Sequence, residues 1–179
     1  MLLKFKSSKH KNGFTLVELL VSIGLVLIIG TIGTSVIASI LRSYNKAHII
    51  NEIEQNGNYV LSLMESQIRN ASSVACDGSS PCLKVNVTSQ EGTVFSFEID
   101  EVTVGIYTYG VVKRNSEIIT NDDTTSGVAV VISESHFAVD GNKVTIVLKI
   151  RQAPGAPGRV DYQADTTLQT TVVVRGGYE

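Results

Sequence analysis

One carboxylate stands at the head of a long stretch that is otherwise free of charge. Glu18 lies in Phe14-Thr15-Leu16-Val17-Glu18-Leu19-Leu20-Val21, and the next charged residue is Arg42. An isolated acid in hydrocarbon costs on the order of 3 kcal/mol, so it pairs, serves a function, or snorkels to the interface. Cys76 and Cys82 flank Asp77-Gly78-Ser79-Ser80-Pro81. That spacing excludes a CxxC redox motif and leaves a local disulfide or two free thiols. His10, His48 and His136 are far apart in the sequence, and with two cysteines they do not make the usual structural zinc set. His136 follows Glu134 and Ser135, but neighbours on a strand face opposite sides and no nucleophile elbow surrounds the serine. The Asp122–Asp123 pair offers oxygens to calcium without the regular spacing of a calcium loop. There is no GxSxG, HExxH, Walker A or GxGxxG pattern. The reading is therefore no enzyme, no metal and no cofactor.

The elements around Glu18 explain why it matters. Leu19–Leu41 is an uncharged run of 23 residues; as a helix it spans ~34 Å, enough for a bilayer core of ~30 Å. Lys4, Lys6, Lys9 and Lys11 precede it with no acid among them. The positive-inside rule then places the N-terminus in the cytoplasm and the rest of the chain beyond residue 42 outside. No small-residue cleavage site of the ordinary secretory kind follows the run, so the segment is expected to stay attached. Of the chain's 15 basic and 17 acidic residues, the remainder without those four lysines keeps 11 and 17, a net charge of −6. An acidic body opposes phosphate binding and makes nucleic acid an unfavoured partner.

The residues Lys11-Asn12-Gly13-Phe14-Thr15-Leu16-Val17-Glu18-Leu19-Leu20-Val21 resemble the cleavage and methylation signal of type IV prepilins and type II secretion pseudopilins. The resemblance implies cleavage by a prepilin peptidase between Gly13 and Phe14 and methylation of the new N-terminus, Phe14. It implies that Glu18 pairs with the N-terminal amine of a neighbouring subunit during assembly. Such a pair acts as a register device more than as glue, because desolvation offsets much of the attraction. The partners implied are the peptidase, other pilin or pseudopilin subunits, an assembly-platform membrane protein and, before assembly, the lipid bilayer. Where many pilins have a helix-breaking proline, this chain has Ser35, with Gly24, Gly30 and Gly33 nearby.

Beyond the membrane run, Ile50, Ile53, Tyr59/Val60, Met64, Ile68 and Ala71 recur near helical spacing. The pattern predicts one helix from Phe14 to about Ser72, interrupted by Gly57 at a cost of about 1 kcal/mol. From there the period changes to two. Strands are expected over 83–87, 94–99, 102–113, 117–120, 128–133, 136–139, 143–152 and 166–175, with a turn at Asp140-Gly141-Asn142. A Cys76–Cys82 bridge would tie the helix exit to the first strand. Two loops interrupt the β region: 121–127, polar and acidic, and 153–159, rich in Pro and Gly. Both are candidate contact regions.

These readings combine into an α+β, pilin-like fold in which a long N-terminal helix packs on an antiparallel sheet. The expected organisation is a basic leader at 1–13, cleaved; a transmembrane or filament-core helix at 14–41; an amphipathic continuation at 42–75; and a β-rich head at 76–179. A terminal strand like Thr167–Arg175, and the lack of a disulfide-closed loop near the C-terminus, resemble minor pilins and J-type minor pseudopilins. The function implied is that of a structural subunit, held as a single-pass protein in the cytoplasmic membrane and then in an extracytoplasmic fibre. Two alternatives stand beside it: a competence pseudopilus subunit touching DNA through Lys113, Arg114, Arg151 and Arg159, and an anchored surface domain that does not polymerise.

Overall fold

The computed structural model describes residues 13–156 and 164–176; the leader before Gly13 and Arg159 lie outside them. Backbone contacts divide the chain into two units, Met1–Arg42 and Ser43–Glu179. A single helix, α1 (Leu16–Arg69), contributes to both. In the first unit every large apolar side chain from Phe14 to Leu41 is at least half exposed. The helix is long and apolar enough to cross a membrane.

In the second unit α1 becomes amphipathic. Ile49, Ile53, Gly57, Val60, Leu61, Met64 and Ile68 are buried, a stripe at three- and four-residue intervals. Ile49 rather than Ile50 leads the stripe, because it lies one helical step of four before Ile53. Tyr59, one position off the stripe, is 60% exposed.

The helix ends at Arg69, so the amphipathic continuation expected through residue 75 is corrected. Ala71–Cys76 forms a strand, β1. Ser72 and Ser73 favour leaving the helix, since short hydroxyl side chains compete for backbone groups. The Ser72 hydroxyl lies 3.0 Å from the carbonyls of both Thr88 and Ser89. These bonds hold β1 on the strand that follows, β2 (Lys84–Ser89).

The sheet continues through β3 (Val94–Val104), β4 (Tyr107–Arg114), β5 (Glu117–Ile118), β6 (Val128–Val130), β7 (His136–Asp140), β8 (Lys143–Gln152) and β9 (Asp165–Val173). Every pairing is antiparallel. The spatial order is β1-β2-β3-β4-β6-β8-β7, with β5 on β4 and β9 on β8. The expected strand over 102–113 is instead the end of one strand, a turn, and another. Gly105, at φ +64, supplies the left-handed first turn position, where a side chain would be strained. Asn115 and Ser116 both take positive φ between β4 and β5, as a tight hairpin turn requires. The run expected over 128–133 stops at Val130, and Ile132–Glu134 makes one 3₁₀ turn. That break lets β6 and β7 lie along the same edge of β8, pairing with residues 150–152 and 143–147 respectively.

One face of the curled sheet meets the helix. Val85, Val87, Phe97, Ile99, Val112, Val144, Ile146, Leu148, Ile150 and Val172 form one core with the helical stripe. At Gly57 the helix and the sheet approach closely. A Cβ there would lie 2.8 Å from Ile150 Cδ1 and would overlap Leu168 Cδ1.

Candidate functional site

The helix start is built by residues 15–18. Glu18 N–H donates to Thr15 Oγ1 at 3.2 Å, and Leu19 N–H donates to the Thr15 carbonyl at 3.1 Å. Thr15 therefore satisfies donors that a helix start leaves open. Thr-x-x-Glu is also the spelling of a capping box, a signal that the sequence reading passed over. Glu18 is exposed and lies in the first turn, where the helix dipole favours a negative charge. Phe14 is 74% exposed just before it.

Four polar residues inside the apolar run are satisfied by the helix itself. Ser22 Oγ donates to the Glu18 carbonyl (2.8 Å), Thr31 Oγ1 to Ile28 (2.9 Å), Thr34 Oγ1 to Gly30 (2.8 Å) and Ser35 Oγ to Ile32 (2.8 Å). Their hydroxyl protons thus need no water, as a hydrocarbon setting demands. Ser35, standing where many pilins have proline, keeps the helix unbroken. A Cβ at Gly24, Gly30 or Gly33 would meet nothing within 4 Å among the described residues.

In the head, Cys76 and Cys82 are joined by a disulfide, with Cα atoms 6.1 Å apart. The bridge links the end of β1 to the approach to β2, rather than the helix exit to the first strand, because α1 stops at Arg69. Inside the loop Asp77 Oδ1 accepts from Ser79 N–H (3.0 Å) and Ser79 Oγ (2.7 Å). Those bonds hold the Asp77 carboxyl below the usual carboxylate range. The Cys82 carbonyl accepts from Phe137 N–H at 2.8 Å, so the loop also reaches β7. Cys76, Asp77 and Cys82 are the one group of potential metal ligands close enough to share an ion among the described residues, and its two sulfurs are bonded to each other.

The two loops singled out from sequence come together. Gly155 N–H donates to the Thr124 carbonyl (2.8 Å) and Ala153 N–H to Gly127 (3.2 Å). Asp123 organises the first loop: its Oδ1 accepts from Thr125 N–H (2.8 Å), Thr125 Oγ1 (2.7 Å) and Ser126 N–H (2.9 Å). These donors hold its carboxyl far below the ordinary range. The Tyr109 hydroxyl donates to the Asp122 carbonyl, and burial together with the Asp122 and Asp123 charges pushes the phenol upward. Tyr109, Val111 and Ala129 form a second, smaller core, tied to the first loop through the Tyr109 hydroxyl.

The other sequence candidates are dispersed. His48 Nδ1 lies 3.5 Å from Glu52 Oε1 on the exposed helix surface, and Tyr44 is 67% exposed. Ser135 Oγ accepts from Lys149 N–H at 2.9 Å, and Glu134 pairs with Lys149 Nζ at 2.9 Å. Both are thereby committed to Lys149, and no serine–histidine–acid relay forms at His136. Of the bases named for DNA, Lys113 is paired with Asp100 at 2.6 Å and Arg114 lies over the Phe95 ring at 5.3 Å. Arg151 is exposed.

The arrangement therefore has one dominant feature, an uncovered apolar helix with a capped, acid-bearing start. Residues 8–34 match the family model for the prokaryotic N-terminal methylation motif. That motif, together with the long apolar N-terminal helix, fits type IV pilins and pseudopilins. Its long N-terminal helix followed by a curled antiparallel sheet is the α+β, pilin-like fold expected from the sequence. Comparison with curated proteins and with solved structures finds no significant match. As a prepilin-like chain it has the motif of a prepilin peptidase substrate and a helix suited to membrane anchoring.

Proposed function

We propose that this chain is a minor structural subunit of a type IV pilus or of a pseudopilus of the type II secretion kind. Its leader is removed after Gly13, Phe14 becomes the methylated N-terminus, and the exposed apolar helix packs against the helices of neighbouring subunits. The observation that carries the reading is the coincidence of the methylation motif over 8–34 with a helix whose large apolar side chains all lie open from Phe14 to Leu41. Such a surface needs either lipid or other helices around it. In the cytoplasmic membrane lipid covers it; in the fibre, sister helices do. Glu18 then pairs with a neighbour's N-terminal amine and sets axial register. Removing one member of a buried ion pair strands the other, which is the costly case. The assembly-platform membrane protein is the further partner this route requires.

Minor status is favoured by the placement of the disulfide at residues 76–82, early in the head. The DNA-binding alternative is weakened by the pairing of Lys113 and the stacking of Arg114.

The test is a Gly13→Val variant expressed in the native host. Mass spectrometry should show no loss of residues 1–13, whereas the unaltered chain should begin at a methylated Phe14. Normal maturation of the variant would overturn the reading. Glu18→Leu should be processed normally yet fail to enter fibres; unchanged function would favour an anchored domain that does not polymerise.

A further inference from the structure

The main path of the sheet runs from β1 to β7, and one backbone bridge brings its far end back to the start of β2. Cys82 and Phe137 form an isolated antiparallel pair, in which Phe137 N–H donates to the Cys82 carbonyl at 2.8 Å. The Leu83 carbonyl accepts from Ile99 N–H on β3, also at 2.8 Å. Successive residues of an extended chain turn their backbone groups to opposite edges, so Cys82 faces the edge of β2 that β1 occupies. There β1 stops at Cys76, paired with Val85. Along that edge β1 and β7 follow one another, and the Cys76–Cys82 bond lies at their junction.

Cys82 is what ties this segment to β7. The other bonds of residues 77–83 stay within the loop or go to β2 and β3. Asp77 N–H donates to the Lys84 carbonyl (3.1 Å), Leu83 N–H to Ser79 Oγ (3.3 Å), and Ser79 donates twice to Asp77 Oδ1. Among the described residues, no second backbone bond crosses from this segment to β7. Residues 77–81 are exposed and both cysteines are half-buried, so a small thiol reaches the sulfurs.

We propose that the Cys76–Cys82 bond is a redox-operated clasp on this seam. Closed, it holds Cys82 at the end of β1 and so against Phe137. Opened, it releases Cys82 from β1; residues 77–82 then lose their order and the seam parts. One backbone hydrogen bond does not offset the entropy of fixing so exposed a loop, with Gly78 in it. The helix–sheet core stays folded, because β2 keeps its ladder with β3 and β7 its ladder with β8. The chemistry is thiol–disulfide exchange through a mixed disulfide. A dithiol gives two electrons and two protons to the two sulfurs and closes into its own disulfide. A disulfide-bearing oxidant takes them back and restores the clasp.

The experiment is residue-resolved amide exchange on the full chain in detergent micelles, before and after reduction with dithiothreitol. Phe137 N–H has the Cys82 carbonyl as its backbone acceptor, whereas the next residue, Ala138, turns its amide toward β8. On reduction the exchange rate of Phe137 relative to that of Ala138 should rise at least about tenfold, and reoxidation should reverse the change. Cys76→Ser/Cys82→Ser should show the raised ratio without reductant and no response to it. An unchanged ratio, in the reduced chain or in the double variant, would overturn the clasp. So would loss of the near-ultraviolet circular dichroism with both amides opening together, since the bond would then hold the whole head rather than one seam.

Discussion

Gly57 should resist the substitution that helix propensity recommends. In an isolated helix, Gly→Ala gains about 1 kcal/mol. Here the added methyl would overlap Leu168 Cδ1 and sit 2.8 Å from Ile150 Cδ1. Ile150 is fully buried and has little space to retreat, whereas Leu168 is half-buried on β9. Overpacking of a close-packed site costs about 1–3 kcal/mol, so Gly57→Ala should lose roughly 1 kcal/mol net. For a chain of this size that corresponds to a fall in Tm of about 2–4 °C. Asn58→Ala, on the exposed neighbouring position, should instead gain a few tenths of a kcal/mol. The decisive arm is a double-mutant cycle. With Leu168→Ala in place the overlap disappears and Ile150 Cδ1 can turn into the vacated space, so Gly57→Ala should then stabilise, giving a coupling of at least about 1 kcal/mol. Thermal melts of the full chain in micelles, followed by near-ultraviolet circular dichroism, read all four states. A Gly57→Ala protein that melts higher than the parent, with no coupling to Leu168, would refute the packing argument.

Three further outcomes follow from the head. Reduction of Cys76–Cys82, or Cys82→Ser, should cost about 2 kcal/mol, the loop-closure value for so short a ring, and an unchanged melting temperature would contradict it. Asp123 is held low by its three donors. Its contribution is therefore whole above the unfolded value near 3.8 and is lost only as pH falls below it. Amide exchange at Thr125 and Ser126, compared between pH 5 and pH 3 after correction for intrinsic rates, should show the loop holding to well below pH 4. Gly127→Ala would drive a Cβ into the backbone oxygens of Asn121 and Asp123, and it should destabilise by about 1–3 kcal/mol, detached loops being visible as rapid exchange at Val128.

Much of the strand pattern was readable because each face of a strand solves a local problem. Lys143–Gln152 alternates along its length and forms β8 over those same residues. The terminal strand was placed within two residues of β9. Errors gathered where a nonlocal partner outweighs local period. Residues 70–75 are compatible with helix or strand, and pairing with β2 decides for strand. Val102–Lys113 reads as one β-branched run, yet Gly105 turns it back on itself. The capping residue Thr15 was legible all along in its spacing from Glu18.

The membrane-length apolar helix, its single acid, the basic stretch before it and the change from a helical to a two-residue period can all be read along the chain. All of these depend on solvent transfer and side-chain spacing within a few turns of one residue. The glycine at residue 57 and the brace shared by loops 121–127 and 153–156 became intelligible only from the packed fold. Those depend on atoms brought together from distant parts of the chain, where no local pattern records the distance between them.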